Sequence, residues 1–210
     1  MPDGCYSGLL VVDLTRVLAG PFCTMMLAEL GARVIKVEDR RGGDDARCFE
    51  PFFEGQSAYF ASLNRGKESI ALDLKDDADR AVFWKLVRRA DILVENFRPG
   101  TLKRLGFSYE QLRAVNPRLI YAAVSGFGQT GPWSSKPAYD LIVQALSGMM
   151  SVTGQPGGPP TRAGFTLPPE RRSRPPERKK PARWGRAGFV LLGRRCCYEV
   201  RRDVKDAARR

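Results

Sequence analysis

The chain has 210 residues, with 35 Lys and Arg against 23 Asp and Glu, a net charge of +12 at pH 7, and no histidine. This length suits one domain, or one domain with an appendage. The absence of histidine excludes Ser-His-Asp and Cys-His catalysis within the chain and argues against the usual Cys/His metal sites.

The first part of the chain predicts a β-α-β unit. The apolar run Gly8–Leu14 is typical of a buried strand, and the turn Thr15–Pro21 follows it. Apolar residues at helical spacing predict a helix that begins at that proline and is capped by Gly31. Arg33–Glu38 is then a second strand, which predicts a parallel pair. The polar, glycine-rich segment 40–54 is predicted to be a loop.

The next segments continue the alternation of strand and helix. Ser69–Asp73 alternates like a short strand, and Asp79 is predicted to cap the helix after it. That helix carries four apolar residues on one face: Val82, Phe83, Leu86 and Val87. Asp91–Glu95 is predicted to be the following strand.

A capping box marks the next helix. Ser108–Gln111 has the capping-box spacing, and the helix it opens is expected to end before Asn116. A strand at Leu119–Val124, a glycine-rich loop at 125–132 and a helix over 138–150 complete the pattern. Alternating strands and helices predict an open, mostly parallel α/β sheet with flanking helices over residues 1–166.

The remaining residues, 167–210, have a different composition. They carry 15 Lys and Arg against 5 Asp and Glu, whereas residues 1–166 carry 20 against 18, so a net +10 of the +12 lies in this tail. Five prolines interrupt the tail, and its apolar run is limited to Phe189–Leu192. No helical or strand period persists in it, and we therefore predict that it is disordered.

The cysteines and the N-terminus predict the compartment. Five scattered cysteines without Cys-x-x-Cys spacing fit a reducing cytosol better than a disulfide scaffold. The N-terminus lacks a charged-then-apolar signal, and the chain lacks a run of 18 apolar residues. We therefore expect a soluble cytoplasmic protein that does not enter a membrane.

Ligands of open parallel sheets bind beyond the carboxyl ends of the strands. Four predicted turns qualify, at residues 16–21, 39–43, 96–100 and 125–131. The chain has neither a Gly-x-Gly-x-x-Gly motif nor a P-loop lysine motif, so it lacks the sequence motifs that commonly bind dinucleotides and nucleoside triphosphates. The simpler interpretation of the glycine-rich loop 125–131 is a flexible turn before a helix.

Seven segments in register make the sequence recognisable. They are Val12–Pro21, Leu30–Glu38, Asn64–Asp73, Asp91–Gly100, Gly126–Pro132, Tyr139 with Asp140, and Gly157–Thr161. In this order and spacing they resemble the class III CoA-transferase family, which includes formyl-CoA transferase and carnitine-CoA transferases. The resemblance covers residues 8–166 and implies a Rossmann-like sheet, coenzyme A as a substrate rather than a covalently bound cofactor, and an interlocked homodimer.

The resemblance implies a coenzyme A site built from several turns. The matching positions are Leu18 and Ala19 after the first strand, Leu72, Asp73, Leu74 and Lys75, then Asn96, Phe97, Arg98 and Arg104, and finally Tyr139 and Asp140 at the acyl end. Lys75 and Arg104 would supply positive charge to the coenzyme phosphates, and backbone amides at helix starts would supply donors.

Each of these positions also has a simpler structural interpretation. Asp73 could be a strand-end carboxylate that makes turn hydrogen bonds. Lys75 and Arg104 could be ordinary solvated charges. Phe97 and Tyr139 could be core aromatic residues.

The reaction implied by the resemblance needs a carboxylate nucleophile. In the family an aspartate attacks the acyl-CoA thioester, forms a mixed anhydride and releases CoA thiolate. The thiolate then forms an enzyme-bound thioester, which passes CoA to an acceptor acid. The aspartate follows a glycine shortly after a Gly-Gly-Pro-Pro-Thr-like stretch. Here Pro168 and Pro169 stand at that Gly-Asp, and proline has no nucleophilic group. We therefore expect no catalytic residue, unless Asp140 serves instead.

Three alternatives stay open beside an active transferase. The chain could be a non-catalytic CoA-binding remnant. It could be related to acyl-CoA racemases, although these use a histidine where this chain has Tyr139. The tail could bind nucleic acid by neutralising phosphates, although it offers only Trp184, Phe189 and Tyr198 for stacking.

The tail has no resemblance to the family. Its proline- and arginine-rich composition after an intact half-domain suggests translation of a GC-rich gene in a shifted frame. Sequencing the locus tests this hypothesis: a one- or two-base change near the codon of Thr166 that restores a Gly-Asp is the expected finding.

Overall fold

The structure is a computed structural model that describes residues 4–164 and 198–201. Within these ranges the strands are β1 (Leu10–Asp13), β2 (Arg33–Asp39), β3 (Phe52–Phe53), β4 (Gln56–Ser57), β5 (Glu68–Leu72), β6 (Ile92–Glu95), β7 (Ile120–Val124) and β8 (Tyr198–Arg201). The α-helices are α1 (Ala19–Glu29), α2 (Ala58–Asn64), α3 (Asp77–Arg89), α4 (Thr101–Arg104), α5 (Tyr109–Val115) and α6 (Asp140–Leu146).

The main sheet has the strand order β5-β2-β1-β6-β7-β8. The first five of these strands run parallel, and β8 pairs antiparallel with β7. The predicted open, mostly parallel α/β sheet is therefore confirmed. The chain builds outward from β1 to β2 and β5, and then crosses back through α3 to β6 on the other side of β1. The strand order thus reverses between β1 and β6, which makes this the switch point of the sheet.

The alternation of side chains along β1 gives the sheet two apolar faces. Val11 lies in one buried cluster with Val34 and Val94, and residues of α1 pack against that cluster. Val12 points the other way and lies in a second cluster with residues of α3 and α5. This arrangement follows from the period of two along a strand, with a helix layer on each face.

The second face has an aromatic centre. The Phe83 and Phe107 rings meet edge to face with centroids 4.7 Å apart, and Trp84 packs on Phe107 at 5.0 Å. Phe83 and Phe107 are fully buried, as is Leu112 of α5. This packing anchors α3 to the segment that connects β6 with β7.

The local predictions had mixed outcomes. The capping box of α5 is confirmed, because Ser108 Oγ accepts a hydrogen bond from Gln111 N and Gln111 Oε1 accepts one from Ser108 N. Gly31, with a φ of 103°, directly follows the C-cap residue of α1, as expected for a terminating glycine. The predicted cap at Asp79 is wrong. Asp76 caps α3 instead, and its Oδ1 accepts from Asp79 N at 3.1 Å.

Other boundaries also differ from the predictions. Helix α1 begins two residues before Pro21. The predicted loop 40–54 contains a 3-10 helix at Asp45–Cys48 and the strand β3, which pairs with β4. The predicted helix over 138–150 is divided into α6 and a 3-10 helix at Met149–Ser151. Gly148 separates the two with a φ of 76°.

The predicted disorder of residues 167–210 lies outside the described residues, except at Tyr198–Arg201, which forms β8. No helix within the described ranges is both long and apolar enough to cross a membrane.

Candidate functional site

The turn after β1 lies at the switch point, and its backbone amides are held by side chains. Thr15 N donates to Asp13 Oδ1 at 2.8 Å, and Arg16 N donates to Asn96 Oδ1 at 2.8 Å. Val17 N donates to Asp44 Oδ1 at 3.1 Å. Three successive amides are therefore bound by side chains from three different segments, and the turn has one defined shape.

The same turn contains an uncommon backbone conformation and leads directly into a helix. Val17 has a φ of 67°, which a β-branched residue rarely adopts. Leu18 is the N-cap of α1 and is 51% exposed, and no side chain of the described residues caps this helix start. The first amides of α1 belong to Ala19, which is half-buried, and to Gly20, which is buried, so Ala19 offers the more accessible donor at the carboxyl edge of the sheet.

Behind the turn lies a buried ion pair between Lys67 and Asp13. Lys67 Nζ is 3.0 Å from Asp13 Oδ2, and both side chains are almost completely buried. The ammonium group also donates to Thr24 Oγ1 at 2.7 Å, Pro21 O at 2.9 Å and Asn64 Oδ1 at 2.9 Å. The pair therefore joins the end of β1 to the first turn of α1 and the end of α2.

The two groups of this pair respond differently to burial. Burial lowers the pKa of Lys67 to about 8, although the neighbouring Asp13 raises it. Burial alone would raise the pKa of Asp13, but Lys67, Lys36 and two threonine hydroxyl groups outweigh it and hold that pKa below its usual value. Asp13 is therefore ionised at neutral pH.

A second buried pair lies on the other side of the turn. Lys36 Nζ is 2.9 Å from Asp44 Oδ2 and donates to Thr15 O at 2.7 Å. Next to it, Glu38 accepts two hydrogen bonds from Arg47, each at 2.6 Å. Burial raises the pKa of Glu38, but Arg47 and the other donors outweigh it and leave the pKa below its usual value.

The turn after β6 contacts the turn after β1 directly. Asn96 Nδ2 donates to Arg16 O at 2.7 Å, so both polar atoms of the Asn96 side chain are bound to the backbone of Arg16. The Arg16 guanidinium lies 5.4 Å from the centre of the Phe97 ring. Leu18, Ala19, Asn96 and Phe97 are therefore predicted site residues that the fold brings together.

A cavity of about 290 Å³ lies at the carboxyl ends of β6 and β7, and Glu95 and Tyr121 line it. Tyr121 Oη donates to Glu95 Oε1 at 2.8 Å, and Phe97 N donates to Glu95 Oε2 at 2.7 Å. Burial raises the pKa of Glu95 above its usual value, against the effect of these two donors. Lys103 also lines the cavity.

The stretch after β5 lies at the same edge of the sheet, two strands from β1. Asp73 Oδ1 accepts from Lys75 N at 3.0 Å, which is the turn hydrogen bond considered for this residue. Asp73 N donates to Asp79 Oδ2 at 2.7 Å. Leu72 is buried, Leu74 packs against the core, and Lys75 is exposed.

The other predicted positions are spread along the chain. Arg98 is exposed, and the exposed Arg104 donates to Thr101 Oγ1 at 2.9 Å. Tyr139 is 70% exposed, so it is not the core aromatic residue considered for this position. Asp140 Oδ2 accepts from Gln144 Nε2 at 2.6 Å.

The glycine-rich loop after β7 lies against the start of α6. A Cβ at Gly126 would overlap the side chain of Ala138, so only glycine allows this approach. Pro169, where the nucleophile is expected, lies outside the described residues. Across residues 4–164 and 198–201, no three or more acidic or cysteine side chains are placed to hold a metal ion.

The buried ionic groups are the part of this site that sequence reasoning missed. Asp13, Lys36 and Glu38 stand near the ends of strands that are otherwise apolar. A charged residue in a buried strand needs a partner, because burying an unpaired charge is costly. That signal was present in the sequence, but the partners Lys67 and Asp44 are supplied by the fold.

Comparison with known proteins identifies the family. The model of CoA-transferase family III matches residues 6–168. The chain belongs to this family. It is 61% identical over 165 residues to the acetyl-CoA:oxalate CoA-transferase of Acetobacter aceti, and this alignment covers 79% of the chain and 42% of the Acetobacter protein. It is 46% identical over 162 residues to the succinyl-CoA:glutarate CoA-transferase of Mus musculus, covering 77% of the chain and 37% of that protein.

A solved structure agrees with this assignment. A CAIB/BAIF family protein from Brucella suis superposes with a TM-score of 0.73 at 43% identity, over 78% of the chain and 44% of that protein. The resemblance inferred from the seven segments is therefore confirmed. The chain spans about two fifths of the length of the curated relatives that it matches.

Proposed function

We propose that this family III chain binds coenzyme A and acyl-CoA at the carboxyl edge of its sheet. The observation that carries the proposal is the fixed turn after β1, which presents the first amides of α1 at the switch point. Helix-start amides are suitable donors to phosphate groups. The relatives are named as CoA-transferases, and the chain retains the part of them that contains this turn.

The exposed basic residues near this edge support the proposal. Lys75 follows β5, Arg98 follows β6, and Arg104 ends α4. Coenzyme A carries several negative phosphate charges, and charge-assisted hydrogen bonds to phosphate are stronger than neutral ones. In the bound state we expect Leu18 and Ala19 to meet the nucleotide end, and Tyr139 and Asp140 to lie toward the acyl end.

We further propose that the chain binds the coenzyme without transferring it between acids. Pro168 and Pro169 occupy the positions where the family resemblance predicts Gly-Asp, and neither offers a carboxylate. A racemase activity is disfavoured because the chain has no histidine. A cytoplasmic location and an interlocked homodimer stay predictions from the sequence, and so does the shifted reading frame of the tail.

Isothermal titration calorimetry with coenzyme A tests the binding. We expect saturable binding that Lys75→Met weakens. Lys85→Met is the matched control, because Lys85 is also exposed but lies on the third turn of α3, away from the strand ends. Equal affinities for both variants would remove Lys75 from the site, and no binding by a folded chain would refute the proposal.

An exchange assay tests the absence of transfer. Acetyl-CoA and oxalate, the substrates in the name of the Acetobacter relative, are incubated with the chain, and new acyl-CoA is followed by chromatography. We expect no exchange above the uncatalysed rate. Exchange that Asp140→Asn abolishes would identify Asp140 as the nucleophile and would refute the non-catalytic proposal.

A further inference from the structure

The shape of the turn after β1 is energetically unfavourable by itself. Val17 has a φ of 67°, in the left-handed region that β-branched residues avoid. Such a conformation persists only when the surrounding structure enforces it. The groups that enforce it therefore decide how the next residues, Leu18 and Ala19, are presented.

The Lys36–Asp44 pair encloses this turn. Lys36 Nζ donates to Thr15 O at 2.7 Å, and it lies 2.9 Å from Asp44 Oδ2. Asp44 Oδ1 in turn accepts from Val17 N at 3.1 Å. The ion pair of these two side chains thus links the carbonyl of Thr15 to the amide of Val17. Asn96 completes the arrangement by binding both the N–H and the C=O of Arg16 between them.

Stability alone is a poor explanation for such a pair. Lys36 and Asp44 have side chains that are 1% exposed, and a buried ion pair is often no more stabilising than apolar residues of similar volume. The pair instead specifies one backbone geometry in a turn that has a ligand role in the proposed function. Because Asp44 is buried, it cannot itself contact a ligand at the surface.

We propose that Asp44 is a positioning residue for the coenzyme. Its carboxylate holds Val17 in the left-handed conformation, so the start of α1 is already in the geometry that accepts a phosphate group. Preorganisation of this kind raises affinity, because the cost of ordering the turn is met during folding rather than during binding. This inference rests on the proposed function and adds a residue to it that does not touch the ligand.

Two double variants test the carboxylate oxygen that holds Val17, which also accepts a hydrogen bond from Ala46 N at 2.9 Å. Lys36→Met with Asp44→Ala removes the ion pair and the acceptor, and it leaves no unpaired charge. Lys36→Met with Asp44→Asn also removes the ion pair but keeps an amide oxygen at the same place. The two differ only in that side chain, so the comparison is insensitive to the loss of charge.

We expect the Asp44→Ala double variant to bind coenzyme A about five- to tenfold more weakly than the Asp44→Asn double variant in calorimetry, the effect of about one hydrogen bond. Amide hydrogen exchange gives a second readout that needs no ligand. The amides of Val17 to Gly20 should exchange faster in the Asp44→Ala double variant, while those of β6 keep their rates.

Asn116→Ala controls for general loss of stability. Asn116 is buried before β7, at the opposite edge of the sheet, where its Nδ2 donates to Val87 O at 2.9 Å and Ala90 O at 2.8 Å. This variant should lower the unfolding free energy yet bind coenzyme A within about twofold of the unsubstituted chain. Equal affinity of the two double variants, or equal exchange of their amides from Val17 to Gly20, would overturn the proposal.

The outcomes separate this inference from the function on which it depends. If the unsubstituted, folded chain shows no heat with coenzyme A, the proposed function fails and the coenzyme role of Asp44 fails with it. If the chain binds and the two double variants bind equally, only the role of Asp44 fails. Faster exchange at Val17 together with weaker binding supports the positioning role.

Discussion

Replacing Lys67 by methionine should be one of the most destabilising single changes in this chain. Lys67 Nζ makes an ion pair with Asp13 and donates to three further acceptors, on Thr24, Pro21 and Asn64. Removing one partner of a buried pair leaves the other charge uncompensated and costs about 3–5 kcal/mol. We therefore expect Lys67→Met to lower the unfolding free energy by about that amount in urea titrations at pH 7.

Two further variants show whether this loss comes from the buried charge. Arg33→Met breaks the ion pair with Glu68, whose side chains are 60% and 56% exposed, and should leave the urea midpoint unchanged within error. Adding Asp13→Asn to Lys67→Met removes the unpaired charge, so the double variant should cost less than the sum of the two single variants. Additive losses, or a Lys67→Met loss as small as that of Arg33→Met, would show that the buried charge of Asp13 does not cause the destabilisation.

Three further substitutions test the aromatic core, the buried Glu38 and the exposed face of α6. Phe83→Ala should lower the unfolding free energy by about 3–5 kcal/mol, because its fully buried ring would leave a cavity against Phe107, and urea titration measures the loss. Glu38→Gln should have a lower unfolding free energy than the unsubstituted chain at pH 7. This difference in unfolding free energy should decrease as the pH falls from 4.5 through the lowered folded-state pKa of Glu38, and a difference that stays constant to pH 3 would contradict this. Helix α6 exposes apolar side chains, Leu146 among them, and we expect copies of the chain to associate through this surface. Leu146→Gln should therefore lower light scattering with little change in stability, and unchanged scattering would contradict a role of α6 in association.

The sheet could be predicted from sequence because its strands are short apolar runs between turn residues. Val11 and Val12 point to opposite faces and both are buried, so β1 reads as a continuous apolar run, as expected for a parallel strand covered on both sides. Helix α2 was missed because it lacks a capping box, the signal that marked the equally short α5. Its formation depends on the Ser57 cap and on burial of Phe60 and Leu63, which the tertiary structure provides.

The local sequence pattern does not determine which aspartate caps α3. Asp76, Asp77 and Asp79 all stand near the start of this helix. The structure uses Asp76 as the cap, because Asp79 is engaged by the amide of Asp73 and by the Arg40 guanidinium, at 2.7 and 2.6 Å. Arg40 is 39 positions from Asp79, so this partner is not visible in a window of a few residues.

Part of the candidate site could likewise be predicted from the sequence, and part of it is visible only in the fold. Leu18, Ala19 and Asn96 were reached through the family resemblance, and the structure then joined their turns by hydrogen bonds. The buried pair of Asp13 with Lys67 spans 54 positions of sequence, so no spacing rule predicts it. The sequence contained the charges, but only the fold shows which of them meet.

In the proposed function, the turn after β1 receives the phosphate groups of coenzyme A. Titration of the ¹⁵N-labelled chain with coenzyme A, followed by amide chemical shifts, tests this contact residue by residue. We expect saturable shifts at Leu18, Ala19 and Gly20, with smaller changes at the opposite edge of the sheet around Asn116. A folded chain whose amides at these three positions do not respond, at coenzyme concentrations that shift others, would contradict it.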